Sequence, residues 1–241
     1  MAKYDLGKLL GENTYPGRGI VMGTSKDGKT ALFAYFIMGR SVNSRNRVFE
    51  EFDGGMRTKA FDESKVVDPS LIIYNPYLKI GDIDIITNGD QTDTIYNFIK
   101  KDPSDQAAFA KALSTREFEP DAPNYTPRIS GIAYYDFAKK TYRDSLSILK
   151  SGSTPEICNR FFFDYTADKG VGHFVHTYKH DGNPIPSFEG EPEEVALHDT
   201  AKELADIVWN NLTADNKVSL IVRGVNLLNG KSENIIINKN V

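Results

Sequence analysis

What this sequence lacks narrows its class before any motif is read. It has one cysteine, Cys158, so a disulfide framework and a cysteine-rich zinc array are both excluded. No stretch approaches the ~18 apolar residues of a spanning helix. The first residues, MAKYDLGKLL, contain no apolar run followed by a small-residue cleavage site, so the expected compartment is the cytoplasm. Neither sign of charge dominates: 29 basic against 33 acidic side chains leave a net charge of −4. Such a balance gives no global pull toward nucleic acid or an anionic membrane, so any bound anion must meet a local cluster of cations. There is no GxSxG elbow, no HExxH and no Walker loop. Three of the four histidines, His173, His176 and His180, crowd into HFVHTYKH. On a strand, His173 and His176 face opposite sides, and His176 and His180 would stand ~13 Å apart. No metal site is expected from them.

What remains is an ordinary globular composition, 40% hydrophobic and 26% charged, long enough to bury its own core without a staple. No linker or repeat divides the chain, so residues 1–241 are read as a single domain. Strands are expected at 20–22, 31–38, 71–74, 83–87, 129–137, 145–149, 160–165, 172–178, 218–225 and 234–238. Asp27-Gly28 and Asn229-Gly230 supply hairpin turns between neighbouring strands. Helices are fewer. One is expected to be capped by Asp93 and to run through Ile99, and a second to run from Ser104 through Leu113. A third spans Pro192 to about Leu212, with Leu197, Ala201, Leu204 and Val208 on one stripe. Many strands at hairpin spacing with few helices indicate an α+β fold of antiparallel sheets with helices on the outer faces.

Three polar segments are candidates for function. The densest cation cluster is GRSVNSRNR, where Arg40, Arg45 and Arg47 interleave with Ser41, Asn43, Ser44 and Asn46 just after an apolar strand. Guanidinium forks match phosphate oxygens, and Gly39 frees the backbone at the strand end. The same composition also suits a solvated basic turn. The second segment, NGDQTDT, holds Asn88, Asp90 and Asp93; it reads equally as a turn plus helix cap or as a contact for ribose or a base edge. The third, FEPDAPNYTPR, is a proline-restricted loop carrying Glu119, Asp121, Asn124 and Arg128, either a catalytic platform or a connector. Cys158 is expected to be buried.

Taken together and in order, GRSVNSRNR, YNPYLKIGDIDIITNGDQTDTI (residues 74–95) and NYTPRISG (124–131) resemble the archaeal-type IMP cyclohydrolase family of purine biosynthesis. The resemblance implies a four-layer αββα sandwich of two mainly antiparallel sheets, like that of the amino-terminal-nucleophile hydrolases. The chain begins Met1-Ala2-Lys3-Tyr4, without the Cys, Ser or Thr nucleophile of those hydrolases, so the fold would serve other chemistry. The implied reaction closes 5-formamidoimidazole-4-carboxamide ribonucleotide to inosine monophosphate with loss of water. It needs no cofactor and no metal. The partner implied is a small purine ribonucleotide, not nucleic acid or membrane, and homo-oligomeric assembly is left open. A nucleotide-binding protein without catalysis and an amide hydrolase of the same fold stand as alternatives.

By the same resemblance the active-site groups fall at Arg47, Tyr74 and Glu119, with Glu119 moving protons. Arg40, Ser41, Arg45 and Arg128 would hold phosphate, and Asn88, Asp90 and Asp93 would contact ribose or base. The arginine loop is two residues longer than in archaeal relatives, so Arg45 and Arg47 are alternatives for the active-site arginine. An insertion around residues 53–63 and a longer C-terminal half also set this chain apart.

Overall fold

The computed structural model describes residues 2–66, 69 and 72–241. Two antiparallel sheets face each other. The first takes the order β11-β10-β1-β2-β12-β13 and the second β3-β4-β5-β6-β7-β8-β9. In the first sheet these are β1 (Arg18–Thr24), β2 (Thr30–Met38), β10 (Val171–His176), β11 (Glu193–Ala196), β12 (Lys217–Asn226) and β13 (Ser232–Asn238). In the second they are β3 (Arg47–Phe52), β4 (Gly55–Ala60), β5 (Tyr77–Ile80), β6 (Ile83–Thr87), β7 (Arg128–Asp136), β8 (Thr141–Ser151) and β9 (Cys158–Thr166).

The near-continuous apolar run of β2 follows from burial on both faces. Register pairs Ile20 with Tyr35 and Met22 with Phe33, and these join Ile129, Leu146 and Ile148 of the opposing sheet in the central core. The alternate residues Val21, Ala34 and Phe36 point outward to α1 (Leu6–Glu12) and α5 (Ala201–Asn211) through Leu6, Leu10, Leu204 and Val208. On the far side, α3 (Gln91–Lys101) and α4 (Ala108–Ser114) cover Ile85, Ile132 and Leu149 with Ile95, Ile99, Phe109 and Leu113. The layers are therefore helix, sheet, sheet, helix, an α+β sandwich. No helix among the described residues is long and apolar enough to cross a membrane.

Both expected hairpin turns form, with Gly28 at φ +77° and Gly230 at φ +70°, where glycine avoids the Cβ clash of the left-handed region. Other expectations are corrected. The helix expected over 192–212 divides. Residues Glu193–Ala196 pair with β10 as an edge strand, and the helix starts only after Thr200, whose side chain forms a capping box with Glu203. A backbone ladder and a stronger cap outcompete the N-terminal signal of Pro192. The helix expected from Asp93 begins earlier, at Gln91, without a side-chain cap. The helix expected from Ser104 begins at Ala108, because Ser104 Oγ donates to Asp102 instead. Of the strand expected over 71–74, Leu71 lies outside the described residues and 72–74 form no strand; Tyr74 is held by the amide of Thr58, which donates to its carbonyl at 2.9 Å. Helix α1 and strands β3 and β4 were not anticipated. Cys158 starts β9 half-exposed instead of buried.

Candidate functional site

The arginine loop leaves β2 at Met38 and enters β3 at Arg47. Gly39 passes so close to Ser44 that a Cβ would sit 2.6 Å from its Oγ. The loop contains one helical turn, α2 (Val42–Arg45), capped reciprocally by Ser41 and Ser44. Arg45 knits the loop to its base: Nε donates to the Gly39 carbonyl at 2.8 Å and Nη2 to Asn216 Oδ1 at 3.0 Å. Asn46 is fixed by two hydrogen bonds with the backbone of Asp62. These contacts send the next side chain, Arg47, inward, where it is 0% exposed. Its Nε donates to the Ser44 carbonyl at 2.9 Å, while Nη1 and Nη2 are buried without a partner among the described residues. A cation so placed costs several kcal/mol unless something pairs with it.

Arg47 lines a cleft of about 250 Å³, slightly below the range of drug-sized ligand pockets. Opposite stand Arg18 from the start of β1 and Glu119 from the proline-rich loop. Arg18 Nη2 lies 4.0 Å from Glu119 Oε2, and Arg18 Nε is a further buried donor without a partner among the described residues. Burial raises the pKa of Glu119, and at this separation Arg18 offsets that effect only in part. Burial and the like charge of Arg18 lower that of Arg47. Burial also opposes the charge on Arg18, but Glu119 and the hydroxyls of Tyr178, Tyr74 and Tyr35 outweigh it and raise its pKa. Tyr74 is buried and does not line the cleft; its hydroxyl meets that of Tyr35 at 2.6 Å, within electrostatic reach of Arg18 and Arg47. Arg18, Arg47 and a carboxyl with a raised pKa thus line one cleft, with a buried hydroxyl pair within electrostatic reach.

At the mouth, Arg40 lies over the Tyr15 ring at 5.1 Å and ion-pairs with Asp181 at 2.6 Å. Ser41, Asn43 and Ser44 complete that side. The cleft thus gathers Arg40, Ser41, Arg47 and Glu119 from the sequence-derived set, with Tyr74 adjacent.

The other five lie elsewhere. Arg45 braces the loop, as above. Asn88 is buried and spends its side chain on the Pro127 carbonyl, Gln91 and the amide of Ile129. Asp90 bridges Arg116 at 2.5 Å and Arg128 at 2.7 Å, and Arg128 also donates to Gln91. Asp93 accepts from Asn75 Nδ2. These groups tie α3 to the start of β7.

Sequence reasoning passed over Arg18, Tyr15 and Tyr178. In YPGRG the arginine reads as part of a turn. The usable signal was an arginine leading directly into the wholly apolar run Ile20–Met22, where a charge must either emerge or have a purpose. Tyr178 follows β10 in a segment read for its histidines. Those histidines pack structurally: His173 stacks on Tyr165 and His176 on Phe174.

Residues 15–230 match the family model described as "IMP cyclohydrolase-like protein". The chain is 28% identical over 197 residues to the IMP cyclohydrolase of Methanosphaera stadtmanae, covering 81% of this chain and 85% of the relative. It is 27% identical over 181 residues to that of Methanococcus aeolicus, covering 63% of this chain and 88% of the relative.

Proposed function

The chain belongs to the IMP cyclohydrolase-like family, and on that footing we propose that it closes 5-formamidoimidazole-4-carboxamide ribonucleotide to inosine monophosphate. The observation that carries the reading into the site is the pair of buried, unpartnered Arg47 nitrogens facing a cleft that also holds Glu119. Ring closure forms a bond between the carboxamide nitrogen and the formyl carbon. One hydrogen leaves from the carboxamide nitrogen and one from the formamido nitrogen, and both depart with the formyl oxygen as water.

The reaction is intramolecular, so the protein has three tasks. It must hold the formyl group in the reactive rotamer, stabilise negative charge on the formyl oxygen and move protons. Arg47 supplies the charge stabilisation through two donors that need no reorganisation. Glu119, its pKa raised toward neutrality by burial, takes the amide proton and returns it to the departing oxygen. Tyr74 supports the charge of Arg47 through its hydroxyl, which makes it a positioning residue. Arg40 and Ser41 at the mouth hold the phosphate, while Arg45, Asn88, Asp90, Asp93 and Arg128 build the frame. We place the enzyme in the cytoplasm with purine nucleotide synthesis.

Incubating the protein with the formylated ribonucleotide and following purine absorbance tests this. Turnover above the spontaneous rate is expected. Its absence, with or without tight monophosphate binding, would overturn the catalytic assignment.

A further inference from the structure

Among the groups lining the cleft, Tyr178 has a hydrogen-bond environment that dictates what it can recognise. Gly17, at φ +80°, lets the chain pass beside the ring; a Cβ there would stand 2.5 Å from Tyr178 Cδ2. The ring stacks on Tyr15 at 5.8 Å, and Tyr15 in turn carries Arg40. On its other side Tyr178 is within electrostatic reach of Arg18, which faces Glu119. Tyr178 therefore lies between the phosphate-binding loop and the carboxyl of the proposed reaction centre. In a ribonucleotide, the sugar occupies that interval.

The polarity follows from proton counting. Asp121 accepts two bonds from Thr126, one from the backbone amide at 2.6 Å and one from Oγ1 at 2.5 Å. A carboxylate only accepts, so the single hydroxyl proton of Thr126 is committed to Asp121. The hydroxyls of Thr126 and Tyr178 are 2.5 Å apart, and with the threonine proton spent, the tyrosine must be the donor. Burial pushes the Tyr178 pKa up to about 12, so the phenol keeps that proton at neutral pH. Its oxygen then has only lone pairs left to offer a ligand.

We infer that Tyr178, polarised through Thr126 and Asp121, is a specificity residue that accepts a hydrogen bond from a ribose hydroxyl and so distinguishes ribonucleotides from deoxyribonucleotides. This rests on the proposed function, which supplies the ribonucleotide. The chain of bonds also contains a built-in test. In Asp121→Asn the amide of Thr126 still requires an acceptor, which turns the new NH2 toward Thr126 Oγ1. The threonine then donates to Tyr178, and the tyrosine points its proton into the cleft.

The experiment is calorimetric titration of the full-length protein with inosine monophosphate and with its 2′-deoxy and 3′-deoxy analogues. The wild type is expected to bind one deoxy analogue roughly tenfold more weakly, the size of one lost hydrogen bond with its partner left unsatisfied. Tyr178→Phe, which keeps the ring and its stacking, is expected to bring that ratio near unity. Asp121→Asn is expected to reduce it as well, while far-ultraviolet circular dichroism stays unchanged. A ratio that is the same in wild type and Tyr178→Phe overturns the assignment of Tyr178. Failure of the wild type to bind inosine monophosphate at all overturns the underlying function as well, so the two failures are separable.

Discussion

Glu119 concentrates the chemistry at the residue scale. Its carboxyl is buried against Arg18 at 4.0 Å and keeps a raised pKa. A base must be ionised to act, so kcat/KM should rise with pH through that raised value and level off above it. Glu119→Gln is expected to abolish this acid limb and to lower kcat roughly 10²–10⁴-fold, with inosine monophosphate affinity nearly retained. A pH–rate profile beside a binding isotherm checks both parts, and an unchanged acid limb would remove Glu119 from the proton path. Arg47 and Glu119 were legible because each belongs to a segment with characteristic order and spacing. Arg18 was not, because its partner is 101 positions away in sequence and only tertiary packing brings them together. Asn88, Asp90 and Asp93 looked functional for the converse reason. Side chains that satisfy buried backbone, as Asn88 does, or pair with neighbouring side chains, as Asp90 and Asp93 do, have the same composition as side chains that await a ligand.

At the scale of elements, local turn chemistry was the most readable signal. The two glycine-containing hairpins form where expected, since only the backbone freedom of glycine was needed to see them. The 192–212 segment was misread because the pairing of Val195 with Gly172 is non-local and cannot be seen in helical periodicity. The Gly17 turn carries a prediction of its own. An alanine there meets about 1–2 kcal/mol of left-handed backbone strain, and its Cβ would stand 2.2 Å from Thr177 Oγ1 as well as against the Tyr178 ring. Gly17→Ala is expected to lower the melting temperature and to weaken nucleotide binding together. Loss of stability alone would mean that the turn does not set the position of Tyr178.

For the whole molecule, the alternation of strands and turns conveyed antiparallel sheets and the family resemblance implied two of them, whereas strand order depended on long-range contacts. Between those sheets lies Asp144, on the inward row of β8 with Tyr142 and Leu146. Its Oδ2 is buried without a partner among the described residues, and burial pushes its pKa up to about 7. Because the unfolded carboxyl ionises near 3.9, the contribution of Asp144 to stability is greatest below that value and falls as pH rises toward about 7, beyond which it is flat. Asp144→Asn should erase this slope, worth up to about 4 kcal/mol, as judged by the difference between wild-type and variant melting temperatures across pH. The unpaired guanidinium of Arg47 has a related thermodynamic consequence. Arg47 is fully buried beside the like charge of Arg18, and both burial and that repulsion oppose its charge. Arg47→Met, close in volume and uncharged, is expected to melt a few degrees higher than wild type while losing turnover. An anion entering the cleft is expected to give the same relief without the loss, so the melting temperature should rise as the cleft is filled.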